Sequence, residues 1–92
     1  MNKIAEEIKN WKHFRKFVYP YHWISGSSTM VYPISIWEGR REIVVQLSQN
    51  KKGRMSAIKA LMRGLVCKYE IYHWRICDNR GDCPDTLIIK FL

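Results

Sequence analysis

The order of hydrophobic periods along the chain restricts its fold more than any other feature. A stretch of helical period is followed by two short runs of strand period, and then by a second helical stretch and two more strand-like runs. Ile4, Ile8, Trp11, Phe14 and Val18 recur at steps of three and four residues, so residues 3–18 are expected to form one amphipathic helix. Glu6 and Glu7 near its start and Arg15 and Lys16 near its end suit the helix dipole, and Tyr19-Pro20 stops it. Tyr21-His22-Trp23-Ile24 is an aromatic segment that runs into the turn-forming Ser25-Gly26-Ser27-Ser28.

Residues 30–37 and 42–48 read as two strands joined by a hairpin at Glu38-Gly39-Arg40-Arg41. In the second of these, Ile43, Val45 and Leu47 are expected to face the core. Pro33 has no amide to donate, which places the first at a sheet edge. After the polar, basic loop 49–54, a second helix carries Ile58, Leu61, Met62 and Leu65 on one face and is weakened by Gly64. Residues 69–77 alternate, with Tyr72, Trp74 and Ile76 on one face and Ile71, His73 and Arg75 on the other. A turn cluster at 78–85 leads to a last strand, 86–92, with Leu87, Ile89 and Phe91 inward.

The order α-β-β-α-β-β predicts an α+β fold of two layers: an antiparallel sheet of about four strands with two helices on one face. Ninety-two residues support one hydrophobic core, so residues 1–92 are expected to be a single domain whose opposite sheet face, loops and outer helix surfaces remain free for function.

The net charge of +8 is unevenly placed: between Arg40 and Lys68, eight cationic side chains stand against one carboxylate, Glu42. Such a concentration attracts phosphate-bearing partners. The first candidate surface combines Arg40, Arg41, Lys51, Lys52, Arg54, Lys59 and Arg63, with Arg54 at a helix N-terminus where dipole and free amides favour an anion. A second interleaves Lys9, Lys12, His13, Arg15 and Lys16 with Tyr19, Tyr21, His22 and Trp23, a mixture suited to stacking on unpaired bases while cations hold the phosphates. The alternative for each group is structural: charge runs are usually solvated faces and aromatic rings usually core.

His73, Cys77 and Cys83 lack the paired Cys-x-x-Cys spacing of a zinc site, and Arg80-Gly81-Asp82 reads as a loop. No P-loop, dinucleotide fingerprint or nucleophile elbow occurs, so no cofactor, metal or small-molecule substrate is expected. An odd number of cysteines, no apolar leader and no bilayer-length apolar run fit a cytoplasmic protein without membrane contact. His13, His22 and His73 are the candidates for proton transfer in a small metal-independent ribonuclease, and lie in separate elements.

With its basic set from Arg40 to Arg63 and its aromatic-basic segment from Lys9 to Trp23, the chain resembles the small phage-encoded anti-CRISPR proteins in overall character. That resemblance implies one compact α+β domain without catalytic machinery, which inhibits by occupancy. Many members of that group are acidic mimics of DNA, and the excess of cations here departs from that pattern. It implies instead a docking protein for guide-RNA phosphates or acidic surfaces of a CRISPR surveillance complex. The expectation is therefore a binder of RNA or a ribonucleoprotein and not an enzyme, with a general nucleic-acid-binding protein as the alternative and the small ribonuclease third.

Overall fold

The computed structural model describes residues 2–18, 22–23, 30–31, 33–48, 52–78 and 85–92. Its elements are helices α1 (Asn2–Lys9) and α2 (Phe14–Phe17), strands β1 (His22–Trp23), β2 (Met30–Val31) and β3 (Ile34–Trp37), a 3-10 turn (Glu38–Arg40), strand β4 (Glu42–Gln46), helix α3 (Arg54–Lys68), and strands β5 (Ile71–Cys77) and β6 (Thr86–Phe91). Among the described residues, strands β1 and β2 pair with each other, whereas β3, β4, β6 and β5 form, in that order, a four-stranded antiparallel sheet. The α+β expectation holds: a core of Ile4 and Ile8 from α1, Ile58, Met62 and Leu65 from α3, and Ile43, Val45, Leu87 and Ile89 from the sheet seals one face of the sheet under the helices.

Alternation fixes the strands. Ile43 lies opposite Ile89 and Val45 opposite Leu87, so four branched side chains meet in two cross-strand pairs, all essentially without solvent contact. Strand β3 is an edge, as Pro33 requires, and the Pro33 carbonyl accepts a hydrogen bond from the Gln46 amide at 2.8 Å. Strand β6 lies inside the sheet, between β4 and β5, so the last strand of the sequence is one of the two that hold the others together.

Three local expectations are corrected. The helix drawn over residues 3–18 ends at Lys9 and resumes only as the single turn α2. At the break, i to i+3 hydrogen bonds join Trp11 to Ile8 and Phe14 to Trp11, and the chain turns so that Phe17 is buried and Val18 bridges to Leu47 in extended conformation. Tertiary burial of Phe17 thus outweighs a helical stripe that ran through Phe14 and Val18. The strand expected over 30–37 is divided into β2 and β3, which belong to different sheets. In β5 a register shift between Ile71 and His73 inserts Tyr72 as an extra residue, which puts Ile71 on the same, helix-covered face as Trp74 and Ile76. Tyr72 itself is 69% exposed.

The two longer helices are clasped at their ends, where Lys68 Nζ donates to Glu7 Oε1 at 2.8 Å. Hydrogen bonds from Lys68 and then Tyr69 lower the Glu7 pKa, and the bond to Glu7 raises those of Lys68 and Tyr69. Among the described residues no helix is long and apolar enough to cross a membrane.

Candidate nucleic-acid interface

With α1 and α3 on one face, alternation sends every second side chain of the sheet to the other. Strand register then assembles rows across four strands: Trp37, Glu42, Lys90 and His73 in one, and Ser35, Val44, Ile88 and Arg75 in the next. Strands about 4.8 Å apart make each row roughly 14 Å wide. Trp37, His73, Arg75 and Lys90 are exposed, and Val44 and Ile88 form a half-buried apolar floor between the two edge strands. The Arg40 guanidinium lies 5.6 Å from the centre of the Trp37 ring, so a cation and an aromatic face are presented together at one corner. Arg75, Lys90 and Arg40 leave this region cationic against Glu42, the direct cross-strand neighbour of Lys90.

The cations expected to form one patch around the middle of the chain are divided. Arg41 takes up left-handed backbone geometry to close the hairpin, with φ 53°, and its guanidinium donates to the Leu92 oxygen at 2.6 Å, beyond the end of β6. Arg54 sits at the other end of that strand, where it meets Asp85 at 3.0 Å. The six residues of β6 lie between them, which separates the two sites by about 20 Å.

Arg54 is also the clearest correction among the expected site residues. It is 2% exposed, its guanidinium donates to the Ser48 carbonyl at 2.8 Å and to Asp85, and Asp78 lies 3.9 Å away. The anions that it meets belong to the protein, so it ties the start of α3 to the ends of β4, β5 and β6 and is not presented to a phosphate. The left-handed Gly53, with φ 89°, makes the sharp entry into the helix that turns Arg54 inward.

Lys59 and Arg63 are exposed on the flank of α3 that borders β5, and Lys52 is exposed just before the helix. Lys9, Lys12, Arg15 and Lys16 are exposed on the α1–α2 segment; Lys9 lies 3.8 Å from Glu6, and Lys16 sits over the Phe17 ring at 5.1 Å. Trp11, His13 and Phe17 form a ring cluster with centroids 5.6 to 6.3 Å apart, so these three rings are engaged in packing, while Tyr19, Tyr21 and the side chains of His22 and Trp23, the rings expected to stack, lie outside the described residues. Lys51 also lies outside the described residues.

His13 belongs to the helix layer and His73 to the opposite sheet face, so these two cannot form an acid–base pair; the side chain of His22 lies outside the described residues. Among the described residues no three His, Cys, Asp or Glu side chains gather as a metal site, and Cys67 and Cys77 are free thiols. Cys83 lies outside the described residues.

Trp37, His73, Arg75 and Lys90 were not among the residues singled out by sequence as a binding set. Each occupies the outward phase of its strand, a signal visible once the strands are drawn, but their adjacency depends on β6 lying between β4 and β5. Topology and surface together define a small α+β fold with a cation-bearing sheet face that, among the described residues, no helix covers. No family model, curated protein or solved structure matches the chain.

Proposed function

We propose that the protein is a stoichiometric binder of single-stranded RNA, alone or within a ribonucleoprotein, and that the open sheet face is its contact surface. The observation that carries this reading is the half-exposed Trp37 under Arg40, set in the same plane as His73, Arg75 and Lys90. An aromatic ring supplies a stacking platform for an unpaired base, and cations spaced across neighbouring strands hold the phosphates on either side of it. The exposed cations of the α1–α2 segment and of Lys59 and Arg63 raise the local concentration of polyanions without being needed for the stacked contact. In the phage-inhibitor version of this reading, the ribonucleoprotein is a CRISPR surveillance complex and the protein acts by occupying guide-RNA phosphates that target DNA would otherwise approach.

Fluorescence anisotropy with a labelled single-stranded RNA tests it. Trp37→Ala should weaken binding about ten-fold, the cost of one lost base stack. Arg75→Glu with Lys90→Glu should make the slope of log affinity against log salt shallower by about 1.4, as expected for two lost phosphate contacts on a single strand. Unchanged affinity in both variants, with thermal unfolding also unchanged, would refute the open face as the contact surface. Capture of a surveillance complex that survives ribonuclease and high salt would remove RNA as the basis of the inhibitor version.

A further inference from the structure

The sheet has two edges of unequal character. Strand β3 is four residues long and is preceded by Pro33, a combination that discourages further pairing. Strand β5 has seven residues and no proline, and its irregularity is confined to Tyr72; His73 to Cys77 run in regular register against β6. Among the described residues nothing pairs with the outer side of β5. A row of backbone amides and carbonyls is therefore left without strand partners there among the described residues.

Beside that edge lies a cleft of about 360 Å³ between α3 and β5, lined by Lys59, Met62, Arg63, Val66, Cys67 and Trp74. Its floor is the buried Met62 and the half-buried Trp74, and Val66 on its wall is 47% exposed. Its polar rim consists of Lys59 and Arg63, one helical turn apart, and neither makes an ion pair among the described residues. On the other side of the same strand, Arg75 projects from the open face.

We infer that β5 is a docking edge for an extended, acidic peptide segment of a partner protein, which adds to the sheet as a fifth strand. Side chains of an added strand alternate between the two faces. Those on the helix side enter the apolar cleft under Lys59 and Arg63, and those on the other side meet Arg75. The complementary segment thus alternates apolar residues with carboxylates and carries further carboxylates at its flanks. A second copy of this chain fits the edge poorly, because antiparallel pairing of β5 with itself brings Arg75, Lys59 and Arg63 of two highly basic molecules to one seam. This surface shares Arg75 with the proposed RNA contact, but its cleft, Lys59 and Arg63 lie on the helix side of β5, away from Trp37 on the opposite edge strand, and the docking edge does not depend on that contact.

The test uses the full chain and a labelled synthetic peptide that alternates Val and Glu over about nine residues between two Glu-Glu flanks, with a version carrying Gln for every Glu as the uncharged control. The Val-Glu peptide should bind more tightly than the control, and Lys59→Glu with Arg63→Glu should weaken it by about ten-fold or more, since like charges then meet at the rim. Hydrogen exchange should slow in the amides of β5 and not in those of β3, while RNA affinity of the double variant stays within about three-fold of wild type when corrected for its lower net charge. Peptide binding without protection of β5 would overturn the proposal, as would equal affinity for the two peptides. Concentration-dependent dimerisation that protects β5 would assign the edge to a second copy, and loss of RNA binding in the double variant equal to the loss of peptide binding would assign these cations to nucleic acid; either result overturns it.

Discussion

The two faces of strand β6 carry side chains of similar size into opposite circumstances. Leu87 and Ile89 are sealed beneath the helices, whereas Ile88 and Lys90, one residue away from each, lie on the uncovered face with Arg75 and His73 for neighbours. The first face is where stability resides, and the second is the one proposed to meet RNA. A residue in this strand therefore has its surroundings set by parity: a shift of one position exchanges a packed side chain for a partly or fully exposed one.

Matched truncations on the two faces of β6 separate a sealed side chain from a half-buried one. Ile89→Ala should destabilise by about 3–4 kcal/mol, since a fully buried branched side chain leaves a cavity among Ile43, Trp74 and the helices. Ile88→Ala should cost roughly 1 kcal/mol, because that side chain is already partly hydrated. Chemical denaturation of the two variants measures the difference, and equal losses would mean that the second face is covered in solution.

At the rim of the sealed face, Arg54→Met should cost about 3 kcal/mol, as it leaves Asp85 without its buried guanidinium. The double variant Arg54→Met with Asp85→Asn should recover part of this, because the carboxylate charge nearest the lost guanidinium is then removed with it. An Arg54 variant that retained full stability and lost RNA affinity instead would return this residue to the binding surface.

The smallest effect belongs to the exposed clasp between Glu7 and Lys68. Glu7 titrates below its ordinary value of 4.5 in the folded protein, so its contribution to stability is present above that value and is lost as pH falls through the lowered, folded one. Lys68 titrates above its ordinary 10.5, so its contribution is present below that and lost as pH rises through the raised value. Thermal unfolding of wild type and Glu7→Gln should differ slightly at neutral pH and converge towards both ends of the range. A difference that persisted at low pH would show that Glu7 acts through packing and not through charge.

Much of the sealed face was legible in the sequence. Strand alternation at Ile43, Val45, Leu47, Leu87 and Ile89 and the helical stripe of Ile58, Met62 and Leu65 each follow from a short period that needs no knowledge of the partner element. The break after Lys9 was not legible, since Trp11, Phe14 and Val18 satisfy the helical period equally well. Only the space beneath the helices favours Phe17 over them.

The candidate surface was legible in outline only. The excess of cations and the existence of a free sheet face followed from composition and element order. Which polar side chains share that face did not, because Arg40, Lys90, His73 and Arg75 are brought together by strand order, and Arg54 is withdrawn by a carboxylate 31 positions away in sequence.

Short-range sequence patterns fix the α+β character, the inward phase of most strands and the excess of cations, because each depends on composition or on neighbours within a few residues. Tertiary structure alone decided which edge strand remained long and open, where the bulge reset the register, and which arginine faces solvent. Those outcomes rest on contacts between distant segments, whose geometry is fixed only when the layers close on one another.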